Sequence, residues 1–161
     1  MSAKIFIADD HDVVRQGVRL IIAKARPEWD ICGEAADGRQ AVIAVVDLDP
    51  DVVILDVTMP GMNGLEAASL ILQRAPRSRV LILTMHESER LCADLRDIGV
   101  HGYVQKSQAG RDLVRAIDRL LSGGTFFEFE VEAKPEPGGN PNPGFSFCVG
   151  LLSPQPVVIP I

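Results

Sequence analysis

The apolar run Val52-Val53-Ile54-Leu55 ends in Asp56, and a Pro60-Gly61 turn follows shortly after. A continuous apolar run of this length reads as a strand covered on both faces, the habit of a central strand in a parallel sheet. A carboxylate at the end of such a strand is costly to bury unless something pairs with it. Asp56 either caps a loop or has polar company brought from elsewhere in the chain.

Taken in order, the chain alternates strand and helix five times. Lys4 to Ala8 is a short strand ending at Asp9-Asp10-His11-Asp12. A helical pattern follows from Val13, with Asp10 or Asp12 suited to accept its first N–H groups, and Pro27 stops it. Trp29 to Ala35 alternates like an edge strand. Asp37 and Gln40 have the spacing of a capping box and open a second helix, which ends before Pro50. After the strand Val52 to Asp56 comes the loop Val57 to Gly64. Asn63 and Glu66 then open a third helix. Val80 to Thr84 is a second fully apolar strand, and His86 to Ile98 a fourth helix stopped by Gly99. Gly102 to Lys106 is a fifth strand. Ser107 is placed to cap a fifth helix that Gly123-Gly124 closes.

This alternation predicts an α/β domain over residues 1–122, a doubly wound parallel sheet of the flavodoxin-like (βα)5 kind with strand order 2-1-3-4-5. Its crossovers are right-handed, and its ligands sit at the carboxyl ends of the strands. Residues 123–161 differ. They hold seven of the chain's eleven prolines and no amphipathic helical pattern. Phe126, Phe127, Phe129 and Val131 alternate with glutamates as in a strand. Residues 136–144 read as an extended linker, and residues 145–152 as an apolar stretch able to dock.

Composition excludes some roles. A net charge of -6 over 161 residues argues against nucleic-acid binding by this chain. Cys32, Cys92 and Cys148 form neither a CxxC pair nor a Cys/His cluster, so a reduced, cytoplasmic setting is expected. No signal peptide, membrane span or membrane partner is expected.

In a parallel sheet the polar strand ends share one edge. Asp9 and Asp10, Asp56, Thr84 and Lys106 therefore converge on one site, three carboxylates against one ammonium. Such a cluster repels itself and suits a divalent cation, magnesium above all, with its preference for hard oxygen ligands. Asp56 is the candidate nucleophile, since aspartate forms aspartyl phosphates. Lys106 would neutralise a transferring phosphoryl group and Thr84 would bond one of its oxygens.

Four segments carry a family resemblance: Ala8-Asp9-Asp10-His11, Leu55-Asp56 through Asn63-Gly64, Leu83-Thr84-Met85-His86 and Gly102-Tyr103-Val104-Gln105-Lys106-Ser107. Together they resemble the receiver domain of bacterial response regulators. Gly33 to Gly38 and Leu83 to His86 are similar to the NarL/FixJ subfamily in particular. The resemblance implies a phosphoacceptor Asp56 served by a sensor histidine kinase. It implies a magnesium site of Asp9, Asp10, Asp56 and the Thr58 backbone carbonyl, with Lys106 paired to the phosphoryl group. It also implies a switch in which the Thr84 hydroxyl moves to the phosphate while the Tyr103 ring turns inward, and it admits a homodimer. The output surface would be the face of helix four, strand five and helix five.

That subfamily normally continues into a helix-turn-helix domain. Residues 125–161 have one basic residue, Lys134, and four glutamates, so DNA binding is not expected of this chain. Two other readings stay open: a truncated LuxR/NarL-type transcription regulator missing its output domain, and an aspartate-nucleophile phosphohydrolase.

Overall fold

The structure is a computed structural model and describes residues 2–86 and 88–127. The proposed linker and apolar stretch of the tail lie outside the described residues. Five strands and five helices alternate: β1 (Lys4–Ala8), α1 (Asp12–Ala25), β2 (Asp30–Ala35), α2 (Gly38–Leu48), β3 (Val52–Asp56), α3 (Gly64–Arg74), β4 (Arg79–Thr84), α4 (Glu89–Ile98), β5 (Gly102–Gln105) and α5 (Ala109–Leu121). The strands form one sheet in the order β2-β1-β3-β4-β5, every pairing parallel, as the alternation predicts.

The most apolar strand takes the central place. Val52, Val53, Ile54 and Leu55 are fully buried, and each such side chain contributes about 1.5–3 kcal/mol. Because side chains alternate across a strand, β3 feeds two cores. Val53 and Leu55 pack with Phe6, Ala41, Val45, Ala68, Ile71 and Leu95 under α2, α3 and α4. Val52 and Ile54 pack with Ile5, Ile7, Val18, Ile22, Leu113 and Ile117 under α1 and α5. β2 is an edge strand paired with β1, and of its six residues only Ala35 is buried.

Helix starts depend on local capping, and there three expectations shift. The first helix has His11 at its cap position with no side-chain cap bond; Asp9 instead accepts the His11 N–H at 2.8 Å. The fourth helix begins at Glu89 rather than His86, because Ser88 accepts the Leu91 N–H while Thr84 holds the His86 backbone. Ser107 does not cap the fifth helix. It lies within a single 3-10 turn, Lys106–Gln108, that leads into α5. Asp37 and Asn63 do cap α2 and α3, through the N–H groups of Gln40 and Glu66.

A half-buried histidine sits outside the strand-end edge. His101, just before β5, accepts the Val80 N–H on Nδ1 at 3.0 Å. Burial, and then the Arg79 charge, push its pKa below the ordinary histidine value. The unfolded chain therefore takes the proton first, and stability is lost as pH falls through the usual histidine range. Between about pH 7.5 and 5.5 the wild-type melting temperature should fall more than that of His101→Gln. Parallel melting curves at the two pH values check it, and equal losses would contradict a neutral imidazole bonded to Val80.

Candidate functional site

The strand order reverses between β1 and β3, and the residues that follow those two strands meet there. Asp9 is fully buried, and Asp56 is 2% exposed. Lys106, directly after β5, lays its ammonium between them. Its Nζ is 2.8 Å from Asp9 Oδ2 and 3.1 Å from Asp56 Oδ1. Asp10 stands at the rim. The two neighbouring loops are tightly seated. A Cβ at Gly64 would lie 1.9 Å from the Asp56 carbonyl oxygen, and one at Gly38 would lie 2.3 Å from the Met62 carbonyl oxygen. Only glycine lets the β3–α3 loop fold back this closely.

The electrostatics are unbalanced. One ammonium faces two buried carboxylates, with Asp10 nearby. Burial raises the Asp56 pKa above its ordinary value, and the Asp9 charge pushes the same way. The Lys106 contact and the Thr58 backbone N–H oppose this without cancelling it. For Lys106, burial acts to lower the pKa, but its bonds to Asp9 and Asp56 and their charges outweigh that and leave it raised. The ammonium thus stays charged. Asp56 Oδ2 is buried and has no hydrogen-bond partner. An open carboxylate oxygen in an acidic cluster is a fit for a divalent cation.

The cluster also includes His11, from the turn after β1. Ligand-capable atoms of Asp9, Asp10, His11 and Asp56 all lie within 4.8 Å of one another. His11 Nδ1 is 3.2 Å from Asp9 Oδ1 and 3.0 Å from Asp10 Oδ1. Arg15 was missed as a support: it donates to the Asp9 carbonyl at 2.6 Å and pairs with Asp12 and Glu34. Its spacing of three from Asp12 on a helix was the available signal.

Thr84 and Tyr103 are both buried. The Thr84 hydroxyl donates to the His86 carbonyl at 2.8 Å and accepts the His86 N–H at 3.2 Å. Its hydroxyl is thus engaged within its own turn. The Tyr103 ring is already inside, 1% exposed, with its centroid 6.1 Å from that of Phe127. Phe127 lies against the ring. Thr58 is exposed and meets the site through its backbone.

A lysine-bridged aspartate pair thus sits at the switch point of a five-stranded doubly wound sheet. The profile described as "Response regulator receiver domain" matches residues 5–118. The chain belongs to the response regulator receiver family of two-component systems, whose members are in general phosphoacceptors rather than enzymes. It is 34% identical over 128 residues to the transcriptional regulatory protein DegU of Brevibacillus brevis, covering 80% of this chain and 54% of DegU. It is 33% identical to the nitrate/nitrite response regulator protein NarL of Escherichia coli K12, covering 75% and 56%. The crystal structure of a LuxR-family two-component response regulator from Aurantimonas sp. SI85-9A1 aligns with a TM-score of 0.74 at 37% identity, covering 78% of this chain and 89% of that one. The chain therefore spans little more than half the length of these curated relatives. Among the described residues, no helix is long and apolar enough to cross a membrane.

The raised pKa of Asp56 has a stability consequence. A carboxyl whose folded pKa is raised favours the folded state while protonated, and that benefit is lost as pH rises from the unfolded value through the folded one. At neutral pH the ionised Asp56 opposes folding. Asp56→Asn should therefore melt higher than wild type in the presence of a chelator. A lower melting temperature for the variant would show that the Lys106 bridge outweighs desolvation.

Proposed function

We propose that this chain receives a phosphoryl group on Asp56 from the phosphohistidine of a sensor histidine kinase, and that the modification switches a protein–protein interface. The observation that carries this reading is the Asp56 carboxylate itself. It is buried, its Oδ1 is held by Lys106, and its Oδ2 is left without a partner. In the transfer, a phosphorus–nitrogen bond of the donor breaks and a phosphorus–oxygen bond to Asp56 forms. Lys106 Nζ is placed to follow the charge as it moves onto the phosphoryl oxygens. Asp9, Asp10, Asp56 and the Thr58 carbonyl would hold magnesium, which supplies charge neutralisation when bound. The chain's own part is to fix the acceptor, exclude water beneath it and keep an ammonium at hand. In this sense it assists its own phosphorylation and dephosphorylation.

Thr84 and Tyr103 are the switch in this reading. A phosphoryl group adds about 1.5–2 negative charges and three acceptor oxygens. That is enough to draw the Thr84 hydroxyl off His86, freeing space beside β4 and β5. The responding unit is residues 1–122. A cytoplasmic setting and a homodimer fit this role. No DNA binding is assigned to the chain itself. A second reading has one observation in its favour: the matched region covers only 54% and 56% of the length of the curated relatives. On that reading the sequence corresponds to the receiver part of a longer LuxR/NarL-type regulator, with the same chemistry at Asp56. A phosphohydrolase finds no comparable support.

Acetyl phosphate with magnesium should add the mass of one phosphoryl group to the intact protein. The adduct should be absent in Asp56→Asn and strongly reduced by chelator or in Lys106→Ala. An unmodified wild-type mass under these conditions would refute the reading.

A further inference from the structure

We propose that Thr125 to Phe127 form a strap that closes the open edge of the sheet at β5 and gates exposure of Tyr103. An uncovered edge strand presents unpaired N–H and C=O groups, which invite pairing with another chain. Here the chain supplies its own cover. After α5, Gly123 takes a φ of +91°, and the N–H groups of Gly123 and Gly124 return to the Leu120 and Arg119 carbonyls. That turn sends the backbone back alongside β5. Phe126 forms a parallel bridge with Gly102. The Phe126 N–H donates to the His101 carbonyl at 3.0 Å, and the Tyr103 N–H donates to the Phe126 carbonyl at 2.9 Å. β5, α5 and the strap thus repeat the strand–helix–strand crossover of the domain, shortened to its last contact.

Two features fit β5 to this cover. A Cβ at Gly102 would lie 2.5 Å from the Phe126 carbonyl oxygen, so a side chain there would push the strap away. The strap's aromatic residues also alternate as in a strand. Phe126 joins the core under α1 and α5, while Phe127 joins the core under α2, α3 and α4. A guanidinium lies against each ring: Arg115 is 5.6 Å from the Phe126 centroid, and Arg96 is 4.6 Å from that of Phe127. Phe127 in turn covers Tyr103.

The closed state also contains an opposing force. Arg96 Nε and Nη2 are buried without a hydrogen-bond partner. Stacking on Phe127 holds the guanidinium, but its desolvated donors recover water when Phe127 leaves. Two backbone bonds and two buried rings against an unsatisfied cation make an element with two accessible states. The strap stands on its own contacts. Its use in signalling rests on the switch role proposed for Tyr103, and it ties whatever follows Phe127 to the position of that ring.

Tyr103 is the only tyrosine in the chain, so nitration by tetranitromethane, read as a mass change on its peptide from the full-length protein, reports a single ring. Wild type should nitrate slowly. Phe127→Ala and Gly102→Val should nitrate faster, on the order of tenfold, as local opening becomes easier. Hydrogen exchange at the Tyr103 and Phe126 amides should rise in both variants while the Val53 and Ile54 amides stay protected. If the central amides also exchange in Gly102→Val, the Phe127→Ala comparison decides. Equal nitration and exchange in wild type and Phe127→Ala would overturn the strap. With acetyl phosphate and magnesium, an Asp56 adduct accompanied by a changed Tyr103 nitration rate supports gating by the site. An adduct with an unchanged rate overturns that gating. No adduct at all refutes the phosphoacceptor reading, and the variant comparison still decides the strap.

Discussion

The contact on which the site depends is the Lys106 ammonium held between Asp9 and Asp56. Each of these groups alone would be expensive to bury, and together they are still one positive charge short of neutrality. The fold makes this arrangement unavoidable. Asp9 follows β1, Asp56 ends β3 and Lys106 follows β5, so the same parallel registers that build the core bring the three to one edge. The residual negative charge is what gives the site its chemistry. It leaves an unsatisfied oxygen on Asp56 and favours any ligand that brings positive charge or replaces one carboxylate charge with a better-bonded group. Stability and reactivity are in tension here, as expected where a rigid scaffold holds a strained set of charges.

Much of this was legible in the sequence because charge interrupts apolar runs so sharply. A strand such as Val52 to Leu55 has one sensible place in a parallel sheet, and its terminal residue then has one sensible edge. The same logic located Asp9, Thr84 and Lys106. Helix starts were less legible, since several polar residues compete within a few positions. Ser88 captured the start of α4 because the Thr84 hydroxyl had already fixed the His86 backbone. The tight seats of Gly38 and Gly64 could not be read at all. Each depends on a backbone oxygen brought close by the fold, and nothing local distinguishes these glycines from ordinary cap residues. The place of His11 beside the acidic pair did not show that the turn after β1 carries its ring onto two carboxylates.

The aromatic pair Phe126-Phe127 shows a different limit. Their alternation with polar residues suggested a strand, but pattern alone cannot say what a strand pairs with. The answer lies in the crossover rule: a segment leaving α5 runs parallel to β5 and meets its open edge. Gly102 makes the contact possible by having no side chain, and its value is invisible until Phe126 is placed.

These two ends of β5 bear on how a signal could cross the domain. Lys106 sits at the carboxyl end, in the charge cluster, while residues 101–103 at the amino end hold the strap. Tyr103 is one of these, buried and lying against Phe127. A side chain so enclosed cannot change place by a small rotamer adjustment, because close-packed cores resist gradual deformation. Its surroundings must shift as a unit, and the strap, held to β5 by two backbone hydrogen bonds, is the element that lies against it. Coupling along β5 is then a matter of which group yields first. The charge imbalance at one end acts on Lys106, and the unsatisfied Arg96 at the other lowers the cost of opening. A four-residue strand with a loaded site at one end and a weakly anchored cover at the other is short enough for both to bias the same tyrosine.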